Sequence, residues 1–171
     1  PSKDTVWIAA QSGVYRHEAG TTRLFASQLK DVPARALLRD REQNLWIGTG
    51  AEGLYKHTPT PFDHFTREDG LIGDLVWDVE AAPDGTLWIA TREGLSRYDG
   101  DAFSSVEGPD GPINQSVLHL KTTQDGATWI ATREELLRHD GSSFTSYAEV
   151  EDEYVGAIHK IVEDGDGTVW F

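Results

Sequence analysis

Asp78 and Glu80 stand two residues apart in "VWDVEA", and forty-one residues later His119 and Lys121 stand at the same spacing in "VLHLKT". Ala36 and Leu38 in "RALLRD", and Lys160 and Val162 in "IHKIVE", repeat the arrangement. Residues two apart share one face of an extended strand. Four segments thus offer pairs that are apolar, acidic, basic and mixed. Carboxylates beside imidazole and ammonium groups can hold a polar ligand through charge-assisted hydrogen bonds. They can equally tie to one another as a structural ion-pair belt, or face solvent. Trp77 sets an indole beside Asp78, His159 precedes Lys160, and Arg92, Arg133, Asn114 and Tyr154 lie in intervening loops. An aromatic platform ringed by planar polar groups suits a carbohydrate or another small polar ligand. The candidate ligand-binding residues are therefore Trp77, Asp78, Arg92, His119, Lys121, Arg133, His159 and Lys160.

Catalytic patterns are absent from the sequence. His17, His57, His64, His119, His139 and His159 are scattered, without the H-E-x-x-H spacing of a metalloenzyme. Neither a G-x-S-x-G elbow nor a Gly-rich phosphate loop occurs, and there is no cysteine. No catalytic residue, metal or cofactor is predicted. "EDGDGTVW" echoes a calcium loop at Asp164 and Asp166, but Trp and Phe stand where further ligands belong, so it reads as a turn.

The elements that would position these residues repeat. Trp7, Trp46, Trp88, Trp129 and Trp170 recur at spacings of 39, 42, 41 and 41, inside "TVWIAA", "NLWIGT", "TLWIAT", "ATWIAT" and "TVWF". Before each of the last four comes a short run ("RALLRD", "VWDVEA", "VLHLKT", "IHKIVE") and a turn ("REQN", "PDGT", "QDGA", "GDGT"). After the tryptophan come "VYRHE", "LYKHT", "LSRYD" or "LLRHD", a second turn, and "FDHFT", "FSSVE" or "FTSYA". Asp-Gly favours tight reversals, and the runs are short and rich in Trp, Ile and Thr, hence strands. Four strands per unit of about 41 residues is the period of a propeller blade. Blades packed face to face bury both sides of a strand such as "LWIAT". The fold class expected is all-β, a β-propeller of four-stranded antiparallel blades with about four in the chain. It forms one domain or segment over 1–171, with units near 1–29 (partial), 34–67, 76–107, 117–148 and 158–171 (partial). The five register tryptophans are expected to fill equivalent gaps between blades as structural core. His57 and His139 occupy the place of Tyr98 in the third strand, which points to outer packing.

Of the 171 residues, 38% are apolar and 26% charged, the formal charge is −14, and no apolar run approaches the length of a membrane span. The acidity argues against nucleic acid and against an anionic membrane surface. Without cysteine the redox compartment stays open. The chain shows no signal peptide and begins at Pro1 without a methionine, so it is expected to be a piece of something longer, processed or engineered.

"EDGLIGDLVWDVEAAPDGTLWIATREGLSRYDG", residues 68–100, resembles the two-component-regulator propeller repeat, with its "GL", apolar inner strand, "D-x-G-x-L-W-I-G/A-T" and "G-L-x-R-Y/H". The pattern recurs around Trp46 and Trp129 and more loosely around Trp7. The resemblance implies a periplasmic or extracellular sensor of a bacterial membrane receptor. It would bind a ligand, often a carbohydrate, without turnover and pass the event to other domains. The enzyme alternative is a lyase of the streptogramin-inactivating kind, for which His119 and His159 are the inner-strand bases. A scaffold without ligand is the third. Two departures stand out. Glu135 replaces the loop glycine found as Gly13, Gly53 and Gly94, implying strain or a different loop there. "REQN" lacks Asp-Gly, so Asn44 is expected to take the left-handed conformation. The chain starts at a tryptophan strand and ends on an extra "IHKIVE" and "TVWF". "IHKIVE" can complete the first blade, but "TVWF" is then surplus, which suggests a larger ring or one completed by a second copy.

Overall fold

The computed structural model describes residues 5–58, 62–147, 149–150, 153–154 and 157–171, with the backbone alone at 149–150 and 153–154. Three four-stranded antiparallel sheets form its middle. Blade II holds β4 (Ala34–Arg39), β5 (Leu45–Thr49), β6 (Leu54–His57) and β7 (Phe62–Phe65). They follow blade I, which has three strands only: β1 (Val6–Ala10), β2 (Gly13–Glu18) and β3 (Thr21–Leu24). Blade III holds β8 (Val76–Ala81), β9 (Leu87–Thr91), β10 (Leu95–Tyr98) and β11 (Phe103–Ser105), and a small hairpin, β12 (Glu107–Gly108) with β13 (Gly111–Pro112), leads onward. Blade IV holds β14 (Val117–Thr122), β15 (Thr128–Thr132), β16 (Leu136–His139) and β17 (Phe144–Tyr147). A hairpin of β18 (Glu149–Val150) and β19 (Glu153–Tyr154) precedes blade V, which holds β20 (Val162–Glu163) and β21 (Val169–Trp170). β20 pairs with β21, and β1 is an edge strand, so among the described residues the first and last strands share no sheet.

Each gap between successive blades holds its own core, because the second strand is largely apolar and is buried on both faces. In β5, Leu45 and Ile47 pack with Val14 and Leu29 of the preceding unit, while Trp46 packs with Val76, Val79 and Ile89 of the following one. Trp88 and Ala90 in turn meet Leu120, Ile130 and Leu137. All five residues of β5 and of β9 are buried in consequence.

The cover on each tryptophan comes largely from the next blade. Tyr98 stands 5.4 Å from Trp46, and His139 stands 5.1 Å from Trp88. Trp46 is 1% exposed and Trp88 3%. Trp129, which meets Phe171 at 6.4 Å in place of a third-strand ring, is half-buried, as is Trp7. Trp170 corrects the expectation of a uniform core: it is 63% exposed, because no following blade lies over it. Its indole N–H donates to Asp164 at 2.9 Å, as that of Trp46 does to Asp40 at 2.7 Å. Ala82 holds the corresponding place before Trp88, whose indole N–H is buried without a partner.

The loop between second and third strands is built around a threonine. Thr49, Thr91 and Thr132 donate their hydroxyls to the carbonyls of Gly53, Gly94 and Glu135, each at 2.9 Å. Gly94 has φ 149°, and a Cβ there would run into the carbonyl oxygen of Ile113. Glu135 takes no positive φ. The loop keeps its closing bond, Thr132 N to Glu135 O at 3.0 Å, by turning differently, and the Glu135 carboxylate accepts from Gln115 and Ser146. In the first Asp-Gly-less turn it is Gln43, with φ 71°, that adopts the left-handed conformation, and Asn44 instead donates its backbone and side-chain N–H to Asp40.

His57 and His139 occupy the outer seams, as expected. His57 lies 4.8 Å from Phe25 and 4.7 Å from Phe62, and His139 lies 4.6 Å from Phe144. Burial holds both imidazoles below their ordinary pKa of 6.5. The unfolded chain then takes up these protons first as the pH falls. The stability they confer is present above pH 6.5 and is lost on descending through their lower folded values. Urea midpoints measured from pH 7.5 downward should begin to fall just below pH 6.5, and replacing both residues by phenylalanine should flatten that limb.

Candidate functional site

The inner strands β4, β8 and β14 carry an identical irregularity. Ala34 pairs with Thr49 and Ala36 with Gly48, Val76 with Thr91 and Asp78 with Ala90, Val117 with Thr132 and His119 with Ala131. One extra residue sits in each interruption: Arg35, Trp77 and Leu118. A bulge turns its extra side chain away from the ladder, and here it does so at the same end of three neighbouring blades. The Arg35 guanidinium lies over the Trp77 ring at 4.4 Å from its centre, and the Trp77 Nε1 is buried without a hydrogen-bond partner. Counting one repeat onward from Leu118 reaches His159, which is exposed.

Below the bulges the paired positions of the inner strands make the seams between blades. Between blades III and IV the acidic pair bridges to backbone. Asp78 Oδ2 accepts from Leu120 N at 2.9 Å and Glu80 Oε1 from Thr122 N at 2.8 Å. His119 Nδ1 stands 3.7 Å from Asp78, and Lys121 Nζ stands 3.8 Å from Glu80. Burial raises both carboxyls above their ordinary range, partly countered by those backbone donors and by His119 and Lys121. Burial likewise lowers the His119 imidazole; Asp78 pulls it up, while Lys160 and Lys121 push it further down. Between blades II and III the corresponding Ala36 and Leu38 offer no acceptor, and Val79 N turns to its own neighbour, Asp78 Oδ1, at 2.9 Å.

Of the residues singled out in the sequence, the structure brings Trp77, Asp78, His119 and Lys121 together along β8 and β14, with Lys160 close enough to act on His119. Arg92 and Arg133 are exposed on the loops after β9 and β15. Arg92 N donates to Leu75 O at 3.0 Å, which brings its loop to the Trp77 end of β8. Asn114 is exposed, and the side chain of Tyr154 lies outside the described residues. Arg35 and Leu118 were missed in the sequence. Their signal was present, since they align with the off-register Trp77. Asp164 and Asp166 serve the turn before β21, accepting from Thr168 N at 2.9 and 3.1 Å. Among the described residues no three of His, Asp and Glu gather as a metal cage, and no helix is long and apolar enough to cross a membrane.

Residues 28–51 match the family described as two component regulator propeller. No curated protein matches the sequence. Among solved structures, the chain is similar to the extracellular domain of a putative hybrid two component system from B. thetaiotaomicron, with a TM-score of 0.81 at 19% identity over 98% of this chain and 25% of that one. Virginiamycin B lyase from Staphylococcus aureus gives 0.77 at 16% identity, over 100% of this chain and 60% of the lyase. PorZ of Porphyromonas gingivalis, a surface component of the type-IX secretion system, gives 0.70 at 16%, over 95% and 29%. At such identities the likeness carries the fold, and this chain spans a quarter to six tenths of those proteins. Repeat, blades and comparisons agree on the fold: the chain builds β-propeller blades, and its residues 28–51 match the two component regulator propeller repeat.

Proposed function

We propose that this segment is the ligand-recognition part of a bacterial signalling receptor facing the periplasm or the exterior. It binds a small polar ligand, a carbohydrate by preference, without turning it over. The observation that carries the reading is the row of bulges, which sets Arg35 against Trp77 at the same end of adjacent inner strands. A fixed aromatic face backed by a guanidinium is the kind of platform on which a sugar ring stacks. The match to the regulator propeller repeat, and the likeness to an extracellular domain of a hybrid two component system, support the setting. Titration with an oligosaccharide panel, followed by tryptophan emission, tests it. Trp77→Ala and Arg35→Ala are expected to weaken binding at least about tenfold, equivalent to about 1.4 kcal/mol, while His64→Ala on the outer strand leaves it unchanged. Equal affinity in all three variants would sink the proposal.

A lyase is the competing reading. His119 beside Asp78 favours it, since a carboxylate can orient an imidazole that acts as a base. Metal-dependent turnover of virginiamycin B, abolished by His119→Ala, would establish it in place of simple binding.

A further inference from the structure

We infer that the seam between blades III and IV holds, at the end opposite the bulges, a site for an uncharged amide group whose carbonyl accepts the buried indole N–H of Trp88. The inference stands apart from the recognition reading above, which concerns the Trp77 end of the same blades.

The repeat shows what is missing there. Six residues before four of the register tryptophans stand Asp40, Ala82, Thr123 and Asp164. The Trp46 indole donates to Asp40 at 2.7 Å, and that of Trp170 to Asp164 at 2.9 Å. The Trp88 ring is set as the Trp46 ring is. A cation lies over its face, Arg97 at 5.9 Å where Lys56 stands at 5.1 Å. A third-strand ring of the next blade closes on it, His139 at 5.1 Å where Tyr98 stands at 5.4 Å. Its N–H edge is therefore directed at position 82, where a methyl group replaces the acceptor. Trp88 is 3% exposed, and its Nε1 is buried without a partner. Such a donor favours any molecule that brings an oxygen to it. A cavity of about 330 Å³ meets this gap, at the lower end of the range for small-molecule sites. Ala82 and Trp88 line it as buried residues, with Arg97 and His139 beside them. The first turns of the two blades approach across it: a Cβ on Gly126 would stand 3.5 Å from Pro83 Cγ.

The charges around the cavity select the ligand. Asp84 pairs with Arg97 and Asp125 with Arg138, both at 2.7 Å. Asp140, also in the lining, accepts from the backbone N–H groups of Ser142 and Ser143 and has no cation beside it. His139 is uncharged at neutral pH, because burial lowers its pKa, and its Nδ1 accepts from Gly141 N at 3.2 Å. An anion would meet three carboxylates against two guanidinium groups. A cation would leave the Trp88 N–H without an acceptor. An amide carries both halves of what is needed: its carbonyl oxygen takes the indole N–H, and its own N–H can donate to the exposed carboxylates at the mouth.

N-methylacetamide is the probe, titrated into the isotope-labelled intact chain and followed by nuclear magnetic resonance on the indole N–H signals of its six tryptophans. The Trp88 signal is expected to move saturably, with the millimolar affinity that suits so small a ligand, while those of Trp46 and Trp170 stay in place. Acetate at matched ionic strength should not move it. Ala82→Asp supplies the acceptor from within, as Asp40 does for Trp46, and should weaken the response at least about tenfold. His139→Tyr restores the ring that Tyr98 contributes one blade earlier, narrows the cavity and should weaken it likewise without adding a charge. A Trp88 signal that does not move, an equal response to acetate, or wild-type affinity in a folded variant would overturn the site. Movement confined to the Trp77 indole would also overturn it, placing the amide on the platform at the other end. A Trp88 response in a chain that binds no oligosaccharide keeps this site and removes only that platform.

Discussion

Trp46→Ala and Trp88→Ala are each expected to remove about 3–5 kcal/mol of stability, the usual cost of emptying a large aromatic site in a packed core. Trp170→Ala should cost less than about 1 kcal/mol, because it loses little more than one surface hydrogen bond. All three tryptophans occupy the same position of the same repeat. Their difference lies in the neighbour: Tyr98 and His139 close over the first two, and the third is 63% exposed. Urea unfolding of the three variants, followed by circular dichroism, measures the contrast. Similar losses at Trp46 and Trp170 would show that the covering blade contributes nothing, against the packing described here. Trp129, half-buried beside Phe171, should fall between them.

The second large effect is expected at Asp78. Its two oxygens accept the backbone N–H groups of Leu120 and Val79, both at 2.9 Å. Removing the carboxylate strands both donors on a half-buried seam, at about 1–3 kcal/mol for each left unsatisfied. Asp78→Ala should therefore destabilise by about 2–6 kcal/mol, and Asp78→Asn, which keeps one acceptor oxygen, by roughly half as much. The sign with pH is also fixed. Burial raises this carboxyl, so the folded state binds its proton before the unfolded one does as the pH falls. Its ionisation thus costs stability as the pH rises through the folded value, opposite to the buried histidines. Equal stability of wild type and Asp78→Ala at pH 7 would show that the cross-blade bonds are not needed.

The blades were legible in the sequence because a tryptophan strand between two turn signals is a local pattern. What covers each tryptophan was not, because the covering ring comes from another repeat about fifty residues on, and so Trp170 was misjudged. The acidic and basic pairs at Asp78, Glu80, His119 and Lys121 were legible as a cluster. Their principal partners were not: sequence displays side chains, and it suggested ion pairs, whereas the short bonds of Asp78 and Glu80 go to backbone N–H groups. Trp77 announced itself by standing outside the register. Arg35 and Leu118 were marked only by their alignment with Trp77 one repeat away, and the strand pairing is what shows that all three sit in the same bulge. The choice of Gln43 over Asn44 for the left-handed turn reflects the grip of Asp40 on Asn44, again a matter of geometry.

Val6 and Ile8 at one extremity, and Trp170 and Phe171 at the other, are exposed although their counterparts inside the molecule are buried. Head-to-tail joining of copies through these two unlike faces is the consequence to test. Mutual repulsion at a formal charge of −14 opposes such growth in dilute buffer. Concentrated salt weakens that repulsion and strengthens apolar adhesion at once, so light scattering at rising salt is the measurement that decides whether these faces join copies.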